Sequence, residues 1–180
     1  MREAKTIAEQ FEMLDRQVFS AFTSSFNGIN WNIEELQERY ARIDLQVTAS
    51  TKNDKRKTYD IELKSRPNVS DMGYVKDCYF ELEKWYGLCE YDNDFKLYVA
   101  IYPNVNKILI WHINFDLLKS SEKTIQKLKS STAGKNKHIV EKQVFKLKRQ
   151  DSNEFDFDLS EWRDNYNALY IQATKEEKQN

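Results

Sequence analysis

Apolar side chains recur along this chain in two periods, and the change from one to the other outlines its elements. From residue 6 to 22, Ile7, Phe11, Leu14, Val18 and Phe22 step by three and four, which predicts a helix. Ser24 to Asn32 is polar, with Asn27-Gly28 as a turn signal. Ile33, Leu36 and Tyr40 predict a short helix over 33–40. The period then falls to two. Ile43, Leu45 and Val47 alternate with Asp44, Gln46 and Thr48, and Tyr59, Ile61 and Leu63 alternate with Asp60, Glu62 and Lys64. Between these runs lies a polar, turn-prone stretch from Thr51 to Lys57, so the segment reads as a hairpin with a longer loop.

Pro67 closes that region. Ser70 or Asp71 then caps a helix predicted to run to about Cys89, with Val75, Cys78, Leu82, Trp85 and Cys89 as its apolar ladder. Strands follow over 96–102 and 107–113, joined through Pro103-Asn104. The second is apolar on both faces, as a central strand covered on both sides would be. A small helix around 116–128, a loop over 130–137, a strand over 138–147 and a last helix capped by Ser160 complete the pattern. That helix carries Trp162, Tyr166, Leu169 and Ala173. With no repeat and no internal boundary, the chain reads as one α/β domain over 1–180, a small central mixed sheet flanked by helices.

Composition adds limits. The chain has 180 residues, 40% of them apolar and 13% aromatic, enough for one aromatic-rich core. No apolar run approaches the roughly 20 residues of a membrane span, and no apolar stretch follows the charged start, so no membrane partner is expected and the predicted location is the cytoplasm. Cys78 and Cys89 fall eleven positions apart on the predicted helix, roughly 16 Å along its axis, which reads as two core thiols rather than a disulfide. His112 reads as a packed core histidine and His138 as solvent-facing, and the two make no zinc site. Neither a phosphate loop nor a Ser-His-Asp arrangement is present. The net charge is −1, but between Lys119 and Arg149 nine Lys and one Arg face only Glu122 and Glu141. Such a segment suits a polyanion; a solvated Lys-rich surface would look the same.

The acid-x-Lys pattern occurs at Glu3/Lys5, Glu62/Lys64, Asp94/Lys96 and Glu176/Lys178. Only Glu62/Lys64 lies inside an alternating strand whose predicted partner carries an acid, Asp44, on its own polar face. A regular register sets Asp44 opposite Glu62 or, shifted by two residues, opposite Lys64. Either brings the three polar ends within about 5 to 8 Å on one face of the sheet, a spot expected to be concave. Two carboxylates that close invite a divalent cation, and oxygen ligands with few protein donors suit Mg²⁺. A nearby lysine can hold a water and offset developing negative charge. The plainer alternative is a solvent-facing hairpin with cross-strand ion pairs worth a few tenths of a kcal/mol.

Arg42-Ile43-Asp44-Leu45-Gln46-Val47, a loop, and Tyr59-Asp60-Ile61-Glu62-Leu63-Lys64-Ser65-Arg66 resemble the core of the PD-(D/E)xK nuclease superfamily. The resemblance covers about residues 6–115, leaving 116–180 as a C-terminal extension with a strand and helix. It implies a restriction-endonuclease-like αβββαβ core and Mg²⁺-dependent cleavage of phosphodiesters, DNA above all, with Mn²⁺ as a substitute. By that resemblance Asp44 and Glu62 ligate the metal, the Leu63 carbonyl contributes, and Lys64 acts on the water. Residue 43 is Ile where the family has Pro. Members often carry a glutamate on the first helix; Glu9 and Glu12 are candidates, but neither is central on the Ile7/Phe11/Leu14 face, and the role stays unassigned. Lys52, Lys55, Arg56 and Lys57 in the hairpin loop, with Lys135 and Lys137 further on, are expected to hold nucleic-acid backbone. A homodimer is compatible with this reading. The alternatives are a non-catalytic nucleic-acid- or protein-binding module on the same fold and a structural interaction protein.

Overall fold

A computed structural model describes residues 6–35, 43–53, 55–93, 95–129 and 139–178. Its first helix, α1 (Ile7–Ser24), starts at a capping box. The Thr6 hydroxyl accepts from the Glu9 N–H, and the Glu9 carboxylate accepts from the Thr6 N–H. After a turn through Gly28, at φ 81°, come β1 (Ile29–Glu35), β2 (Leu45–Thr51) and β3 (Arg56–Ser65), each antiparallel to the last. A single-turn 3-10 helix leads to β4 (Asp77–Glu81), α2 (Leu82–Cys89), β5 (Phe95–Tyr102) and β6 (Lys107–His112). The chain ends with α3 (Phe115–Ser120), β7 (Glu122–Lys129), β8 (Ile139–Lys148), β9 (Asn153–Asp156) and α4 (Ser160–Lys178).

Six strands form a mixed sheet in the order β1-β2-β3-β5-β6-β9, parallel only between β3 and β5; the other three form a sheet in the order β4-β8-β7. On one face of the large sheet, Ile61, Leu63, Val99 and Ile108 pack with Val18 and Phe22 of α1 and Tyr166 of α4. Beyond the other face, Tyr98, Leu109 and Trp111 pack with Phe80, Phe145 and Leu147 of the small sheet and Leu88 of α2. The Trp111 indole N–H donates to the Lys148 carbonyl at 2.9 Å and ties the sheets together. β6 is an inner strand covered on both faces, as its sequence predicts.

Three elements differ from the sequence reading. Residues 33–35 are strand, not helix, because Ile29, Trp31 and Ile33 alternate beside β2. Residues 77–81 and 122–129 also fit a helical period. They form strands because β8 pairs with both, and such pairing overrides local preference. The expected peripheral strand over 138–147 is therefore the middle of a second sheet. Cys78 is buried in β4 while Cys89 is exposed at the end of α2, so only one is a core thiol. His112 points outward between buried Trp111 and Ile113, its ring 5.7 Å from that of Phe95. His138 and residues 36–42 lie outside the described residues.

Asp15 of α1 is fully enclosed. It accepts from the Tyr166 hydroxyl at 2.8 Å and from the Ser65 N–H at 3.3 Å, joining α1, α4 and the end of β3. Burial, only partly offset by those two bonds, pushes its carboxyl up to about 6 from 3.8. The folded state thus binds this proton more tightly than the unfolded chain, so the group's destabilising effect sets in as pH rises from about 4 to 6 and is fully present above. Acidification from pH 7 to 4.5 should stabilise wild type through this group, by roughly 2 kcal/mol. Asp15→Asn should remove that part of the pH dependence in urea unfolding at the two pH values. Equal pH dependence in both proteins would show that Asp15 is not responsible.

Candidate carboxylate–lysine site

β3 outruns its partner. Pairing with β2 runs as far as Leu45 opposite Ile61, so the N–H groups of Leu63 and Ser65, which point toward the β2 side, need other acceptors. Two side chains supply them. Asp44 Oδ2 accepts from Leu63 N–H at 2.7 Å, and Asp15 Oδ2 accepts from Ser65 N–H. Asp44 reaches its place through an irregularity. Its own N–H donates to the Ile61 carbonyl, one residue out of the register that pairs Leu45 with Ile61. Ile43 accordingly packs beneath the small sheet, while Leu45 and Val47 pack under α1. Strict alternation would put all three on one face, as the sequence suggests; a β-bulge at Asp44 turns Ile43 over and aims the carboxylate at β3.

Glu62 and Lys64 lie on the face of β3 opposite to Ile61 and Leu63, toward α2 and the small sheet. Glu62 is buried, 5% exposed. Lys84 Nζ of α2 lies 2.6 Å from its Oε1, while Oε2 is buried with no hydrogen-bond partner. Burial, and next the like charge of Asp44, push the Glu62 carboxyl up to about 8 and outweigh the opposing pull of Lys84. Lys64 is half-buried beside Ala100 of β5 and makes no hydrogen bond or ion pair among the described residues. Burial, then the charge of Arg66, holds its ammonium below the usual lysine range. A solvent-facing hairpin with cross-strand ion pairs is therefore not what forms.

On the first helix Glu9 is committed to the capping box, whereas Glu12 is exposed and near enough to Asp44 to feel its charge. Partial burial of its carboxyl, then the charge of Asp44, raise its pKa. Sequence periodicity points to neither. Lys84 was invisible in the sequence, a lone lysine between Glu83 and Trp85 with no distinguishing spacing. Among the described residues no three His, Cys, Asp or Glu side chains converge as a metal cage. Two cavities lie away from the site. One, about 610 Å³, lies between Lys76, Asp77, Lys148 and Glu154, the other, about 250 Å³, between Leu82, Ile125 and Phe145.

The hairpin cations Lys52, Lys55, Arg56 and Lys57 are exposed at the opposite end of β2 and β3, with Lys57 Nζ 4.7 Å from the centre of the Phe95 ring. Lys55, just before β3, is seven residue steps from Glu62, about 23 Å. The Lys119–Arg149 excess is partly matched internally: Lys142 pairs with Glu81 at 2.6 Å, Lys146 with Glu122 at 2.9 Å and Arg149 with Glu154 at 2.8 Å. Lys135 and Lys137 lie outside the described residues. Searches of family models, curated proteins and solved structures found nothing that matches the chain.

The ladder role of Asp44 separates shape from charge. Asp44→Asn keeps an acceptor for the Leu63 N–H and removes the repulsion with Glu62, so its stability in urea should be near wild type or higher. Asp44→Ala leaves that amide without its acceptor and should cost about 1–3 kcal/mol. Equal stability of the two variants would mean that the bond to Leu63 carries no weight.

Proposed function

We propose that this protein cleaves phosphodiesters of nucleic acid, DNA above all, with a divalent metal, and that Asp44, Glu62 and Lys64 form its active site. The observation that carries the reading is the convergence around residue 63: Asp44 on the Leu63 amide, Glu62 and Lys64 on either side, and Lys64 without a counter-ion among the described residues. The order helix, three antiparallel strands, then, after the intervening β4 of the small sheet, a helix and a strand parallel to β3, is compatible with the αβββαβ core that the resemblance implies.

The donors fit a hard cation. Glu62 Oε2 is buried and unsatisfied and Asp44 engages one carboxylate oxygen with Leu63, an all-oxygen pair of the kind Mg²⁺ and Mn²⁺ take with few protein ligands. Asp44, Glu62 and the Leu63 carbonyl would hold the ion. When bound, such an ion polarises a phosphoryl oxygen and makes a coordinated water more acidic. Lys64 then orients the attacking water and offsets the negative charge that grows on the phosphate. The hairpin cations, roughly 16 Å (Lys57) to 23 Å (Lys55) away along the strand, can grip backbone beyond the cleaved bond.

A binding module that holds nucleic acid without cutting is favoured by one observation, the Lys84 ammonium already on Glu62. It would bind DNA without any dependence on Mg²⁺.

Labelled linear, circular, branched and single-stranded DNA, each with Mg²⁺ or Mn²⁺, separate the readings. Wild type should cut at least one. Asp44→Asn should lose both cleavage and the metal-induced rise in Tm. Lys64→Ala should keep metal binding and lose roughly 10²- to 10³-fold in turnover. DNA binding without cleavage or an Asp44-dependent thermal shift would favour the binding module. For the backbone grip, Lys55→Glu and Lys137→Glu should each weaken binding at low salt and flatten the log–log salt dependence in fluorescence anisotropy, by about 0.9 for each phosphate no longer neutralised. Slopes equal to wild type would leave these lysines as solvated surface.

A further inference from the structure

Glu62 and Lys84 form a pair of unequal partners. Glu62 sits on an inner strand with its side chain 7% exposed, so its carboxylate cannot move without disturbing β3. Lys84 reaches it from α2, an eight-residue helix, through a flexible side chain that is 40% exposed. The ammonium touches Oε1 at 2.6 Å and leaves Oε2 unsatisfied. It therefore neutralises the acid without meeting its hydrogen-bonding capacity, unlike the neighbouring Asp60. That residue, two positions earlier on the same face, receives Gln46, Asn93 and Lys96 together.

An ammonium and a dication a few ångströms apart on one enclosed carboxylate repel strongly, because little solvent lies between them to screen the charges. The partner able to leave is the lysine. We infer that Lys84 is the resident counter-ion of this site and is exchanged for the divalent cation, its ammonium leaving Glu62 for solvent as the metal enters. The inference rests on the reading of Asp44 and Glu62 as metal ligands. It assigns to α2, beyond the strand motif, a residue that sets the affinity of the site and keeps the carboxylate neutralised in its absence. Lys64 differs: with no carboxylate partner among the described residues, it has nothing to exchange.

The experiment reads amine exposure and metal affinity, not cleavage. Wild type is acetylated briefly with an amine-reactive ester, with and without Mg²⁺, and each lysine is quantified by mass spectrometry. Lys84 should be protected without metal and become several-fold more reactive with it, the other lysines changing little. Asp44→Asn should abolish the rise. In calorimetry, Lys84→Met should bind Mg²⁺ roughly tenfold more tightly or better, about 1.4 kcal/mol per factor of ten, with Lys84→Gln as the variant that keeps a donor to Glu62. Lys64→Met, which also removes a nearby positive charge, should tighten binding less. Asp44-dependent binding in wild type with Lys84 reactivity unchanged would overturn the exchange and leave the metal site standing. Binding seen only once Lys84 is replaced would overturn the exchange and make Lys84 the permanent occupant of the carboxylate. No Asp44-dependent binding in wild type, Lys84→Met or Lys84→Gln would overturn both.

Discussion

A strand that buries carboxylates on one face must find partners for them, and much of this protein follows from how β3 does so. Thr58, Asp60, Glu62 and Lys64 share that face, and Arg66 continues the row beyond the strand end. The opposite face, with Ile61 and Leu63, belongs to the core under α1 and α4. Asp60 is fully provided for. It takes Gln46 from β2, Asn93 from the loop before β5 and Lys96 from the register position directly opposite, and Lys96 also donates to the Tyr91 and Asn93 carbonyls. Glu62, two residues on and equally enclosed, has one ammonium and an orphan oxygen. Because a buried charge left under-satisfied costs several kcal/mol, these neighbours serve different ends. Asp60 locks three strands and a loop; Glu62 keeps unused capacity where Asp44 adds a second carboxylate.

The backbone explains why the acids gather there. Once β2 has ended, β3 still presents the N–H groups of Leu63 and Ser65 to that side, and the fold supplies carboxylates from a bulge and from a helix. Asp44 and Asp15 thus extend the ladder with side chains and bring negative charge to the strand end as a consequence of hydrogen-bond accounting. The two are not equivalent. Asp15 is sealed by Tyr166 and serves the packing of α1 against α4, whereas Asp44 is half-buried and its charge is felt by Glu62 and Glu12.

What was legible in the sequence were elements whose signals are local. The three-and-four spacing of α1, the alternation of β3 and of β2 from Leu45 on, and the two-sided apolar strand β6 all reappear. β4 and β7 read as helix because their partner, β8, is distant in sequence from β4 and its pairing, not their composition, makes them strands. β1 carries an alternating Ile-Asn-Trp-Asn-Ile that its polar residues and the preceding turn obscure. At the site, the gathering of Asp44, Glu62 and Lys64 was legible from alternation and one register choice. The bulge was not: it is a backbone event that no residue type at 43 or 44 announces, and it moves Ile43 to the other core. Lys84 comes from a helix packed on the sheet, and only tertiary placement brings it to Glu62.

The lysines carry the last distinction. A lysine beside an acid is ordinarily read as its counter-ion, and the spacing of Glu62 and Lys64 invites that reading. Here the ion pair goes to Lys84, from another element, and Lys64 is half-buried with none among the described residues. Burial and the nearby Arg66 guanidinium both disfavour its charged form. Arg66 in turn donates to the Tyr98 hydroxyl at 3.0 Å and has no carboxylate partner among the described residues, so it does nothing to relieve Lys64. Under the proposed function, a lysine with no ion pair of its own among the described residues, beside Asp44 and Glu62, is available to an anion brought from outside. A phosphodiester held by a cation on Asp44 and Glu62 would be such an anion, since the charge it brings to the site is what Lys64 lacks and what the carboxylates alone would repel.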